Sequence, residues 1–128
     1  MRQFIAFSLL VAAFIHLVPL LGVLGAERLS MLYGFGFDEP NLLILMRHRA
    51  VLFGLLGIFL ALAAFRPALQ GAAFLAGFVS VIAFLAIAWS TGSYNGHIAR
   101  VVSGDVVALV MLVLGVAAWW VQRRRKQE

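Results

Sequence analysis

The chain of 128 residues is 64% hydrophobic before its 12 glycines are counted, only 12% charged, and contains no cysteine. Soluble domains run at about 45–50% apolar and about 25% charged, so the composition is that of an integral membrane protein. At roughly 20 residues per crossing the length holds at most about five helices and leaves no room for a separate soluble catalytic domain. Disulfides, thiolate chemistry, cysteine-ligated zinc and iron–sulfur clusters are excluded. The formal charge is +5, but Arg123, Arg124, Arg125 and Lys126 stand together directly after an apolar segment. Such a cluster binds anionic headgroups and orients the preceding helix, which argues for topology and against nucleic acid.

The first predicted helix covers about residues 2–26. Its apolar run, Phe4 to Gly25, exceeds the roughly 7–15 residue core of a cleaved signal, so a retained crossing is expected. His16 and Pro19 interrupt it; the proline frees the carbonyl four residues back, and a bend turned towards the protein interior satisfies that group most economically. Glu27 to Pro40 reads as an interfacial loop, with Tyr33-Gly34-Phe35-Gly36-Phe37 placing aromatic rings at headgroup level and Asp38-Glu39-Pro40 marking a helix start.

The second helix is predicted over about 41–65. Arg47-His48-Arg49 leaves two geometries open: a start near Asn41 with the triplet a turn or two inside, or an interfacial Leu42–Met46 followed by a crossing from Arg47. The second leaves 16 residues from Ala50 to Phe65, about 24 Å of rise against a hydrocarbon core of roughly 30 Å, so the first is preferred, with snorkelling arginines. Arg66-Pro67 is a short turn. A third helix over about 68–91 is followed by the polar loop Gly92-Ser93-Tyr94-Asn95-Gly96-His97, then a fourth over about 98–121 and a basic tail over 122–128. The expectation is an all-α, single-domain, four-helix transmembrane bundle. Six basic residues, Arg2, Arg66 and the four of the tail, lie on the side of the termini, against Arg28, Arg47, Arg49 and Arg100 on the other. Both termini are therefore placed on the cytoplasmic side of a bacterial inner membrane.

This topology gathers Glu27, Tyr33, Asn41, Arg47, His48, Arg49, Tyr94, His97, Arg100 and Asp105 near the non-cytoplasmic face. Asp105 lies about seven residues inside the fourth helix, roughly 10 Å, and Arg47 at a matching depth in the second. A carboxylate there needs a partner, and Arg47 or Arg49 is proposed, with Glu27 as a further acid and His48 in the surrounding network. Such a pair fixes helix register and order. The same basic triplet beside Tyr33, Asn41, Tyr94, His97 and Arg100 also suits an anionic headgroup or small anion. His16, near mid-membrane, donates to a carbonyl freed by the bend or acts in a relay whose second polar group is Ser80. The histidines are too dispersed in depth for a metal site, no phosphate-cradling glycine loop or nucleophile elbow is present, and no catalytic residue or cofactor is assigned. Small residues, among them Gly54, Gly57, Ala61 and Gly77, permit close helix approach within one chain or between protomers.

Arg28-Leu29-Ser30-Met31-Leu32-Tyr33-Gly34, then Pro40-Asn41-Leu42 and Met46-Arg47-His48-Arg49-Ala50, resembles a loose grouping of small uncharacterised four-helix bacterial membrane proteins. In these a Leu-Tyr-Gly turn follows helix one and an arginine stands early in helix two. The resemblance implies an inner-membrane four-helix protein and no particular activity. Small multidrug transporters match in size, but place a glutamate where this helix one carries His16. Membrane glutathione-transfer proteins carry an Arg-Ala-His-Asn pattern, whereas Arg49-Ala50 here continues as Val51-Leu52. The functional expectation is a structural, lipid-binding or partner-binding membrane protein. Its partners are membrane lipids and either a second copy or another membrane protein, and the alternative is transport of a small molecule or anion, membrane enzymology or quinone binding through the same cluster.

Overall fold

A computed structural model describes residues 1–127. The apolar run after Met1 begins as helix α1, Arg2–Leu17, and tightens into a 3-10 segment, Val18–Leu24, with Pro19 in its first turn. Proline has no N–H for the α-helical ladder, and the tighter winding absorbs that loss without ending the rod. Gly25, at φ 135°, then turns the chain. Helix α2, Ala26–Tyr33, follows where the sequence led us to expect an interfacial loop. Leu29 and Tyr33 are four residues apart and are its two buried side chains, a one-sided pattern hidden in sequence by the glycine- and aromatic-rich stretch after it.

Gly34 ends α2 in the left-handed region, at φ 78°. Helix α3, Pro40–Phe65, opens with Pro40 at its first position and Glu39 as its cap, so the triplet lies inside the helix, the geometry preferred above. Glu39 accepts hydrogen bonds from the backbone N–H of Asn41 at 3.0 Å and of Leu42 at 2.7 Å. These hold its carboxylate below the usual glutamate value, Asn41 first and Leu42 second. Arg66 alone, in extended conformation, joins α3 to helix α4, Pro67–Thr91. Gly92 caps α4 in the left-handed region, and Asn95 accepts from the Ile98 N–H to start helix α5, Gly96–Arg124. Helix α5 thus extends beyond the expected 98–121 and takes in the beginning of the basic tail. Cation–π stacking of Arg123 on Trp119 (5.0 Å) and Arg124 on Trp120 (3.9 Å), each one turn back, supports the extension. Glu128, the last residue of the expected tail, lies outside the described residues.

Helix α1 packs against α3 and α5, and α4 completes the arrangement by packing against the same two helices. The core between them is rich in small side chains: Ala12, Ala13, Ala63, Ala73 and Ala108 interleave with Ile5, Leu9, Leu60, Phe74 and Leu112. Close approach of α1 and α3 requires Gly57, where a Cβ would meet the Leu17 side chain at 2.7 Å and the Ala13 carbonyl at 3.1 Å. Four rods, the α1–3-10 unit and α3, α4 and α5, are long and apolar enough to cross a membrane, and only 22–33% of their most apolar windows is buried. Large apolar side chains therefore face outward, among them Phe7, Phe14, Leu55, Leu75 and Trp89. At one end α2 lies across the 3-10 segment and touches α5, with Leu29, Tyr33 and Phe37 forming a small core of their own against Leu42, Met46, Ile98 and Val101.

Candidate functional site

Beneath α2 a cavity of about 320 Å³ opens between α1 and α5. The first wall is Phe14, Ile15, His16, Val18 and Pro19; Met31, Leu32 and Tyr33 of α2 form the roof, Arg49 and Phe53 come from α3, Phe84 from α4, and His97, Arg100, Val101, Gly104 and Asp105 from α5. Most of the surface is apolar, with a few polar groups converging, the usual make-up of a small-molecule pocket. Phe14, Val18, Met31 and Arg100 are exposed, so its rim reaches the outer surface of the protein.

The two arginines of the triplet have different tasks. Residues two apart on an α-helix project about 200° apart, so they cannot serve one side. Arg47 is exposed and donates through Nε to the Val23 carbonyl at 2.9 Å, satisfying an acceptor near the end of the 3-10 segment. Arg49 turns inward. Its Nη1 donates to the Tyr33 hydroxyl at 2.7 Å, and its guanidinium lies 4.5 Å from the Phe53 ring and 5.5 Å from the Tyr33 ring. One hydrogen bond and two aromatic faces fix the cation at the cavity wall.

Asp105 is 8% exposed. The expected ion pair is not formed. Arg47 is tied to Val23, and Arg49 acts on the carboxylate electrostatically without reaching it. Among the described residues Asp105 accepts no hydrogen bond, and no side-chain polar atom is both sealed from solvent and unpaired. Its carboxylate therefore opens to the cavity. Glu27, the other expected acid, is exposed on α2 and outside the cavity, as is His48 on α3.

His16 is fully engaged. Its Nδ1 is 2.8 Å from the Ala12 carbonyl, which can only accept, so Nδ1 carries the hydrogen; Nε2 then accepts from the Ser80 hydroxyl at 3.1 Å. The acceptor is the carbonyl one turn back rather than one released by Pro19, and Ser80 is the polar neighbour from α4 that the sequence offered. The ring also lies 5.8 Å from Phe53, so this bond network and Arg49 share one wall.

The structure thus brings Tyr33, Arg49, His97, Arg100 and Asp105 to one cavity, with His16 at its floor. Asn41 remains at the α3 entrance, bonded through its side chain to Glu39 at 2.7 Å, and Tyr94 is exposed on the loop before α5. The Leu32-Tyr33-Gly34 turn gains a physical role here. Tyr33 holds Arg49 through its hydroxyl and accepts from Asn95 Nδ2 through its carbonyl at 2.8 Å, while Gly34 sits so close to His97 that a Cβ would collide with the imidazole. Phe53 and Phe84 were not singled out in the sequence, although Phe53 stands one turn after Arg49 and Phe84 one turn after Ser80. Apolar residues within apolar helices carry no local mark of which way they face. Among the described residues no three histidine or acidic side chains converge to hold a metal. No family model, curated protein or solved structure matches the chain.

Proposed function

We propose that the chain crosses a bacterial inner membrane four times as a bundle with both termini cytoplasmic, a member of the small four-helix membrane proteins it resembles, and that its cavity binds the polar end of a lipid-like amphiphile. One observation carries the reading: Asp105, a nine-tenths-buried residue whose carboxylate has no hydrogen-bond partner among the described residues, lines a cavity that also carries a fixed guanidinium, Arg49. A register-fixing ion pair would be closed. Here the two charges form no salt bridge, Arg49 being held by Tyr33 and Phe53 while the Asp105 carboxylate opens to the cavity, and burial of a charge is costly unless something completes it.

The separated pair defines the guest. Ionised Asp105 only accepts hydrogen bonds and Arg49 only donates them, so the occupant offers an N–H or O–H donor next to an acceptor or anionic oxygen. Zwitterionic and hydroxylated lipid headgroups carry both. An oxidised quinone carries only acceptors and leaves an ionised Asp105 unsatisfied; only its quinol form offers the O–H donor. About 320 Å³ is at the small end of ligand pockets and takes a headgroup, not two acyl chains. The exposed rim of Phe14, Val18 and Met31 lets the chains lie along the outer surface in the bilayer.

The test is native mass spectrometry of the full chain released from mild detergent, with lipid extraction of the same sample. Wild type is expected to retain a co-purifying amphiphile, and Asp105→Asn and Arg49→Gln to lose roughly tenfold or more of it, the consequence of one lost hydrogen bond to a charged group. Equal retention by wild type and both folded variants would sink the reading.

A further inference from the structure

A second cavity, of about 390 Å³, lies at the opposite end of the molecule, between the start of α4 and the end of α5. Its chemistry is of one sign. Arg123 and Lys126 line it together with the amides Gln70 and Gln122, and among the described residues no acidic side chain does. Gln70 is only 2% exposed, a long polar side chain in the first turns of an apolar helix. Its amide makes no hydrogen bond among the described residues, yet it has no sealed, unpaired atom, so it opens into this cavity. The N-terminus of α4 borders the same space: Pro67 and Ala68 line it, Arg66 provides no side-chain cap, Pro67 has no N–H and the Leu69 N–H donates to the Arg66 carbonyl at 2.9 Å, so the Ala68 N–H is left to face the cavity. A 25-residue helix directs the positive end of its dipole there. Arg123 is held against the wall by stacking on Trp119 at 5.0 Å.

We propose that this cavity is a phosphate-binding site, with the free Ala68 N–H and the Gln70 amide as donors and Arg123 and Lys126 as the compensating charges. The basic tail then does more than bias orientation: two of its residues belong to a built site, while Arg125 stands outside it. The phosphate is carried by an anionic phospholipid or is free in solution, and the two sources are separable. This inference involves none of the residues of the Asp105 cavity and stands or falls independently of it.

The measurement is native mass spectrometry of the full chain titrated with dioleoyl phosphatidylglycerol, with dioleoyl phosphatidylcholine as the matched neutral lipid. The anionic lipid is expected to bind in preference. Gln70→Glu, which puts a negative charge among the donors at nearly constant size, and Arg123→Gln are each expected to weaken binding roughly tenfold or more. Arg125→Gln removes the same charge outside the cavity and is expected to leave it within about twofold. Lys126→Gln, an exposed change, supplies a reading independent of whether the buried substitution folds. Displacement of the lipid by millimolar inorganic phosphate assigns the site to a free anion, and persistence assigns it to a headgroup. Wild-type binding in folded Gln70→Glu, or equal losses in Arg123→Gln and Arg125→Gln, overturns the proposal, because diffuse attraction to the tail then accounts for all of it.

Discussion

His16 shows how a polar residue is accommodated in an apolar rod: both ring nitrogens are used, one on its own helix and one on Ser80 of α4. Ser80→Ala leaves Nε2 buried without a donor and should lower stability by about 1–3 kcal/mol. Adding His16→Leu removes the orphan as well, so thermal unfolding in detergent should show the double variant recovering part of the loss. If the two losses instead add, the bond is not the coupling. Glu39 gives a prediction outside the apolar rods. Its carboxylate is held below the usual value by the Asn41 and Leu42 N–H groups. A lowered value in the folded state means that the cap's stabilisation is complete above the ordinary glutamate value and disappears as pH falls through the folded one. The amide signals of Asn41 and Leu42 should therefore titrate together below the usual glutamate range, and Glu39→Gln should abolish that titration.

At the level of elements, the decisive features are the broken first rod and the helix that follows it. Pro19 converts α-helix to 3-10 winding, Gly25 redirects the chain, and α2 then roofs the cavity, pinned by the Arg49–Tyr33 bond below and by the Tyr33–Asn95 bond beside it. Gly34 is the hinge pin. Alanine there meets both the left-handed backbone, at φ 78°, and the His97 ring. The backbone alone costs about 1–2 kcal/mol, and the displaced imidazole adds to it. Gly34→Ala should therefore loosen α2 more than it lowers global stability, seen as faster proteolysis within residues 34–39 and weaker retention of the proposed amphiphile. Unchanged proteolysis would show that α2 is not held at this point.

For the molecule as a whole, the exterior is unlike that of a soluble protein: large apolar side chains face outward around a core in which alanines interleave with larger apolar residues. Four rods, the first two joined through α2 and the others by short turns, alternate in direction, so the termini share one end, with the second cavity, and α2 and the Asp105 cavity occupy the other. The proposed orientation is tested in a chain with no cysteine of its own. A membrane-impermeant maleimide applied to intact cells should label Ser93→Cys and Asp38→Cys, and Gln127→Cys only after lysis. The reverse pattern inverts the topology, and labelling of all three denies four crossings.

Composition and the spacing of proline and glycine were enough to predict four long apolar helices, because length, hydropathy and the missing proline N–H act locally. The helix start at Pro40, the single-residue turn at Arg66 and the gathering of Tyr33, Arg49 and Asp105 at one end are legible for the same reason: a polar or charged group within an apolar run is conspicuous wherever it points. Direction is not local. That Arg47 faces outward and Arg49 inward, that Asp105 remains open where an ion pair was expected, and that Glu27 begins a helix follow from how the rods rotate and how α2 folds back over them. The partners concerned are up to 64 residues apart in the chain, as His16 and Ser80 are. The sequence alone determined which groups are expensive in an apolar protein; the tertiary structure decided which of them are satisfied by the chain and which are presented to a cavity, because rotation of a uniformly apolar helix is set by packing rather than by its own pattern.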